Sequence, residues 1–369
     1  MFLSLLFLVL CALFTVSEQT YQCLDSSGKP VDWYIFYKLP HLYDHPENVP
    51  ISNGTGYLYM DVNNKKWTLM DNGMDAQQNN AVYYTLQQFY TADNESTFSY
   101  MYNDEWPDST VWSADSGHAK GVTVFDKSTG FWLIHSIPKF PSVVEFRYPP
   151  NAHWYGQMGI CISFGYSSLA DIAQQLFYYN TFTYEFNLPD YFANSVPLLT
   201  RLQKGDYQKT QPYTNSKILK SLGGQSFRHF AKTGTWGQDL YSAFVMTELK
   251  TSLKVETWNH ESGTETNLPS VCNVNAHEST LSASHIRLPF NIDYKSYEDH
   301  SKFAVAFSDS NRIPSVPYVC IGDINRQTHQ LQRGGGTMCL YDQDIYYQYS
   351  TVISETVPCP IPSPPPPMF

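Results

Sequence analysis

The chain has 369 residues, enough for one large domain or two ordinary ones, and 42% of them are hydrophobic. With 28 Tyr, 22 Phe and 8 Trp against only 15% charged residues, the composition excludes a disordered or fibrous protein and favours a sheet-rich globular one. The formal net charge of −11 argues against a protein that holds nucleic acid through a broad basic surface.

In chain order, residues 1–17 (MFLSLLFLVLCALFTVS) are an apolar run followed by Thr15 and Ser17, the pattern of a cleaved signal peptide. Removing it takes Cys11 and leaves Cys23, Cys161, Cys272, Cys320, Cys339 and Cys359, an even set that predicts three disulfides in an oxidising compartment. No Cys pair has the close spacing of a structural zinc site, and no metal or cofactor is expected. Asn53 and Asn94 open glycosylation triplets. No later segment is apolar enough to span a membrane.

Strands are predicted in VDWYIFYKLP (31–40), GTGYLYMDV (54–62), GFWLIHSIPKFP (130–141) and, after a turn, NAHWYGQMGICISF (151–164). Helical spacing appears in 75–90, through Val82, Leu86 and Phe89, and again in 168–180. Residues 187–225, rich in Pro, Ser and Lys, read as a junction. Residues 239–258 read as a helix passing into a strand, and 360–369 as a proline-rich extended tail without a retention or lipid-anchor signal. RQTHQLQRGGGTMC (326–339) reads as a hairpin loop tied down by Cys320 and Cys339 rather than as a nucleotide-binding loop.

Two segments share an arrangement. GHAKGVTVFD (117–126) and DHSKFAVAFSD (299–309) each place a His and a Lys one residue apart at the head of an apolar run. On a strand such residues share a face, so His118 projects with Lys120 and His300 with Lys302. Two imidazoles and two ammoniums converging on one spot suit a phosphodiester. The lysines neutralise its oxygens, one neutral imidazole attacks phosphorus, and the other, protonated, donates to the leaving oxygen. Histidine titrates near ~6.5, which makes a mildly acidic working pH natural. His135 reads as a hydrogen-bonded core residue, and the remaining histidines show no paired ligand spacing.

These motifs, with VDWYIFYKLP, GFWLIHSIPKFP, YGQMGICISF and FAKTGTWGQDLYS, resemble the deoxyribonuclease II family, itself similar to the phospholipase D superfamily with its duplicated His-x-Lys motif. The resemblance spans about residues 23–359. It implies a mixed α/β fold of two similar halves, each a β-sheet flanked by helices and related by a pseudo-twofold, with one active site at the junction that a single chain can complete. Residues 18–205 and 206–359 would be the halves. The implied activity is metal-independent endonucleolytic cleavage of DNA, leaving 3′-phosphate and 5′-hydroxyl ends, in a lysosomal or secreted protein that degrades the DNA of engulfed cells or food. His118 carries over as nucleophile, His300 as general acid, and Lys120 and Lys302 as phosphate ligands. The implied disulfides pair Cys23 with Cys161, Cys272 with Cys359 and Cys320 with Cys339. One departure stands out: the superfamily's Asp five residues after the Lys is Phe125 in one motif and Phe307 in the other, with Asp126 and Asp309 displaced. Rival expectations are a noncatalytic secreted glycoprotein of the same fold that binds nucleic acid or a protein, and a phosphodiesterase for RNA or phospholipid.

Overall fold

A computed structural model describes residues 20–260, 266–274, 278–308, 314 and 316–360. The expected signal peptide, residues 361–369 of the proline-rich tail, His277 and Asp309 lie outside them. Among the described residues the chain is mixed α/β, with two large sheets and few, short helices.

The first sheet contains β1 (Trp33–Lys38), β2 (Tyr57–Asp61), β3 (Thr68–Leu69), β4 (Phe98–Asn103), β5 (Lys120–Phe125), β6 (Thr129–His135), β7 (Gln157–Gly165) and β8 (Thr183–Asn187). Its spatial order is β3-β2-β1-β7-β6-β5-β4-β8, antiparallel throughout. The second contains β9 (Thr214–Lys220), β10 (Ser226–Lys232), β11 (Ser252–Glu256), β12 (Val271–Val274), β13 (Glu278–Leu288), β14 (Ile292–Lys295), β15 (Phe303–Phe307), β16 (Tyr318–Gly322), β17 (Gly335–Tyr341) and β18 (Ile353–Thr356). Its main path runs β12-β13-β11-β15-β16-β17-β10-β9, with β14 and β18 added on β13.

The central strands are apolar on both faces because both faces are covered. Trp132 and Ile134 of β6, Ile160 and Ile162 of β7, Val319 and Ile321 of β16, and Met338 and Leu340 of β17 share one core between the sheets. The alternate residues Phe131, Leu133 and Cys161 face outward under the helix Ala81–Tyr90. Cys320 and Cys339 do the same in the second sheet, under Tyr241, Val245, Met246 and Leu249. Period-two alternation thus divides each strand between two cores.

The helix within 75–90 starts only at Ala81 because Asn80 caps it, its side-chain oxygen accepting from the Val82 N–H at 3.0 Å and the Tyr83 N–H at 3.2 Å. The three disulfides are Cys23–Cys161, Cys272–Cys359 and Cys320–Cys339, the last joining residues directly opposite in the β16–β17 register. Asn53 and Asn94 are exposed.

Candidate active site

The two motifs meet where the sheets meet, although not as strand faces. β5 begins at Lys120 and β15 at Phe303, so both histidines and Lys302 precede their strands. The reason is backbone competition: the His118 N–H donates to Gly334 O at 2.9 Å, and the His300 N–H to Gly156 O at 2.8 Å. Each donor that could have extended a ladder is taken by the other sheet's part of the chain. Gly334 immediately precedes β17 and Gly156 precedes β7. A Cβ on Gly156 would lie 2.4 Å from a carboxylate oxygen of Asp299, and one on Gly334 2.2 Å from Tyr179 O, so only glycine permits these approaches.

Around His118, Asp104 follows β4 and is almost fully buried. It accepts from the Lys120 ammonium, and from the Arg333 guanidinium at 3.0 Å, while its Oδ2 lies 3.7 Å from His118 Nε2. Burial would raise this carboxyl, but the charges of Lys120, His118 and Arg333 outweigh it and hold it well below the usual carboxylate range. Arg333 also donates to Ser116 O, Ser113 O and Gly117 O at 2.8, 3.1 and 3.2 Å, wrapping the loop that delivers His118. His118 Nδ1 is buried with no partner.

The His300 ring lies between two aromatic faces: Tyr155 stacked at 4.1 Å and Trp258 tilted at 3.9 Å. Its Nε2 is buried and unpartnered. The preceding Asp299 accepts from the Tyr37 hydroxyl of β1 and the Ser301 N–H, the latter at 2.8 Å, fixing the turn to the first sheet. Lys302 donates to His300 O.

Burial lowers both imidazoles well below the ordinary histidine value. Lys120, Arg333 and Lys302 add to this at His118, against Asp104, and Lys302, Lys120 and Lys38 add to it at His300. Burial and the Lys120 charge bring Lys302 down to about 7. Asp323, which follows β16 and accepts the Gly336 N–H at 3.0 Å, is pushed up to about 8 by burial, against that hydrogen bond and both lysines. These mutual effects place Lys120, Lys302, Asp104 and Asp323 in one electrostatic cluster. Among the described residues no group of three or more His, Cys, Asp or Glu could hold a metal ion.

Sequence reasoning missed Asp104, Asp323, Tyr155 and Trp258. It also took the 326–339 stretch for a simple loop. The stretch does connect β16 to β17, but Arg333 is buried at the site and the glycines start a strand. The signal was present in the run of glycines, which lets the backbone approach His118 and Asp323. Asp126 is a turn residue whose Oδ1 accepts the Thr129 N–H at 2.8 Å, away from both histidines. His135 is fully buried and neutral, brought to about 3 by burial and then by Lys120, and its Nδ1 accepts the Ile137 N–H at 3.1 Å. His229 is likewise internal, bonded to Tyr179 and Gln175.

Two buried lysines hold the loops that carry the site. Lys38, the last residue of β1, donates to Gly54 O at 3.1 Å and His153 O at 3.0 Å, just ahead of Tyr155 and Gly156. Lys232, the last of β10, donates to Gln330 O, Leu331 O and Arg333 O at 3.2, 3.1 and 2.6 Å. Lys232→Met strands three carbonyls, and Lys38→Met two. Each variant is expected to lose about 2–4 kcal/mol in urea unfolding, the cost of orphaned buried acceptors, against less than ~0.5 kcal/mol for an exposed control such as Lys204→Met.

Paired His-x-Lys segments, a buried arginine and buried carboxylates at the contact of two sheets have the make-up of a hydrolase site suited to a compact anionic ester. The chain belongs to the deoxyribonuclease II family, whose model matches residues 22–359, and it is a nuclease of that class. It is 67% identical to "Cell death-related nuclease 6" of Caenorhabditis elegans, covering 95% of this chain and 93% of that protein. It is 35% identical to "Deoxyribonuclease-2-alpha" of Rattus norvegicus, covering 95% and 98%. It is also 35% identical to "Plancitoxin-1" of Acanthaster planci, covering 97% and 98%.

Proposed function

We propose that the chain is an acid endonuclease that hydrolyses DNA phosphodiesters without a metal ion, through a phosphohistidine, to 3′-phosphate and 5′-hydroxyl ends. The observation that carries this reading is the reciprocal clamp: His118 bonded to Gly334 and His300 to Gly156. It brings two distant motifs to one interface, with Lys120 and Lys302 close enough to depress each other's neighbours.

His118 is the nucleophile. Its Nδ1 lone pair is free, and as the N–P bond forms, the positive charge gained by the ring is met by Asp104 Oδ2 at 3.7 Å. His300 is the general acid. The faces of Tyr155 and Trp258 favour its protonated form once a phosphate supplies the counter-charge, and its bare Nε2 is available to the leaving 5′ oxygen. The same imidazole then takes a proton from the water that displaces His118 from phosphorus. Lys120 and Lys302 neutralise the non-bridging oxygens.

The fold is read as two phospholipase D-like halves, 18–205 and 206–359. The strand orders support this: β1-β7-β6-β5-β4 in one sheet runs parallel in rank to β10-β17-β16-β15-β11 in the other. The strand after each motif is fourth in these orders, the strand after each clamping glycine is second, and Lys38 and Lys232 end the matching first strands. Three disulfides support a lysosomal or secreted location, where Asn53 and Asn94 would carry glycans. The name of the C. elegans relative, a cell death-related nuclease, supports a role in clearing the DNA of dying cells.

The test is plasmid nicking at pH 5 in excess chelator, followed by analysis of the ends. The expected products accept a 5′ label from a kinase directly and resist 3′ extension until treated with a phosphatase. Loss of nicking with chelator, or ends bearing 5′-phosphate, overturns the reading. Nicking of RNA in preference to DNA would reassign the substrate.

A further inference from the structure

Six of the eight tryptophans are buried or half-buried, while Trp112 and Trp154 are 66% and 56% exposed. Leaving that much indole in water is unfavourable unless something covers it. Their positions are not scattered. Trp112 stands on the loop between Asp104 and His118, where with Asp104, Glu105, Arg333, Lys139 and His329 it lines an open cavity of about 520 Å³. Asp104 and Arg333 are the groups that bind the His118 segment. Trp154 directly precedes Tyr155, whose ring covers His300. Its indole packs on His41 at 5.2 Å, and His41 packs on Tyr43 at 4.2 Å, which is itself 75% exposed. Each exposed indole therefore stands on a segment that leads into a residue of the site, Trp112 on the loop that ends at His118 and Trp154 next to Tyr155.

We propose that Trp112 and Trp154 are base-stacking subsites, one for a nucleobase on each side of the scissile phosphate, with the bases turned out of their stack. The inference rests on the reading of His118 and His300 as the cleavage centre. It answers the difficulty set by the net charge of −11. A chain without a broad basic surface gains little from long-range attraction to DNA, whereas stacking on an indole carries no charge requirement and accepts any base. The cavity is of nucleotide size, and Lys139 at its wall supplies a cation for the adjoining phosphate. Adjoining Tyr155 in the chain, the Trp154–His41–Tyr43 shelf continues the platform beyond the first base.

The experiment uses the full mature chain and a DNA oligonucleotide with a single cleavable phosphodiester, carrying either natural bases or an abasic residue on one side of it. Wild type is expected to lose about tenfold or more in kcat/KM when either flanking base is missing, and kcat/KM for the intact oligonucleotide to fall by the same factor in Trp112→Leu and Trp154→Leu. Each Leu variant becomes indifferent to the abasic residue on one side only, the Phe variants retain most of the discrimination, and all keep the wild-type thermal midpoint. Equal cleavage of base-bearing and abasic substrates by wild type, or Leu variants that discriminate as wild type does, overturns the proposal. Cleavage undiminished in His118→Asn removes the centre itself, and the proposal with it.

Discussion

His118→Asn and His300→Asn are each expected to lower plasmid nicking at pH 5 by about 10⁴-fold or more while leaving the cooperative unfolding transition in place. The expected size follows from the proposed roles, a nucleophile in one case and the proton donor to an alkoxide in the other, which would act as a unit. Fold is retained because the structural work at both positions is done by the backbone: the N–H bonds to Gly334 O and Gly156 O do not depend on the imidazoles. The two variants are told apart by a substrate with a leaving group that needs no proton, a nucleoside 3′-(4-nitrophenyl phosphate). His300→Asn is expected to release one equivalent of nitrophenol in a burst and then stall, because attack proceeds while water is no longer activated. His118→Asn shows no burst. A burst in His118→Asn and none in His300→Asn would exchange the two assignments. Slow steady turnover in both would mean that no covalent adduct forms on either ring.

Much of the frame was legible because burial on both faces writes long apolar runs. β1 and β2 fall inside segments that aromatic and branched residues mark plainly, and β6 and β7 overrun theirs by one residue each. The helix Leu169–Leu176 follows from its apolar spacing. β13, with its Ser, Thr and His residues, gave no such mark, since its role comes from pairing with β11, β12, β14 and β18 rather than from its own hydrophobicity. The site divides along the same line. His118, Lys120, His300 and Lys302 could be found because the motif is local and occurs twice. Asp104 lies 16 residues from Lys120 with nothing repeated around it. Arg333 reaches it across 229 residues, and Tyr155 reaches His300 only because a parallel bridge joins Gly156 to Asp299. Contacts between sheets leave no periodicity in either segment, so no reading of a single segment recovers them. The position of the histidines ahead of their strands has the same origin, a bond to the opposite sheet.

Activity is expected to peak on the acid side of 6.5 and to fall at least 100-fold between pH 5 and 8, with a slope at the alkaline end steeper than the tenfold per pH unit that the loss of one proton allows. Three groups titrate in one direction. In the proposed mechanism His300 must be protonated, and burial with Lys302 holds its ring below the ordinary value, so its acid form is scarce above that range. Lys302, at about 7, loses its charge next, and Asp323, at about 8, gains one. Leaving the imidazoles aside, near pH 5 Lys120, Lys302 and Arg333 are three cations against one carboxylate, Asp104, a surplus of two. Above pH 8 two cations face two carboxylates and the surplus is gone, in a buried site where charge balance decides whether a phosphate is drawn in. Asp323→Asn isolates this effect, since it fixes the neutral state while leaving an oxygen for the Gly336 N–H. The variant should match wild type at pH 5 and exceed it several-fold in kcat/KM at pH 8. The sign for stability is the same. The Asp323 folded-state pKa lies above its unfolded value near ~3.9, so its stabilising contribution is complete below that value and is lost as pH rises toward 8. Asn removes that loss, and the thermal midpoint of the variant should exceed wild type at pH 8 and converge with it at pH 4. A uniform drop in activity at every pH would instead make Asp323 a positioning group for the β17 glycines, and the acid preference would then rest on the histidines alone.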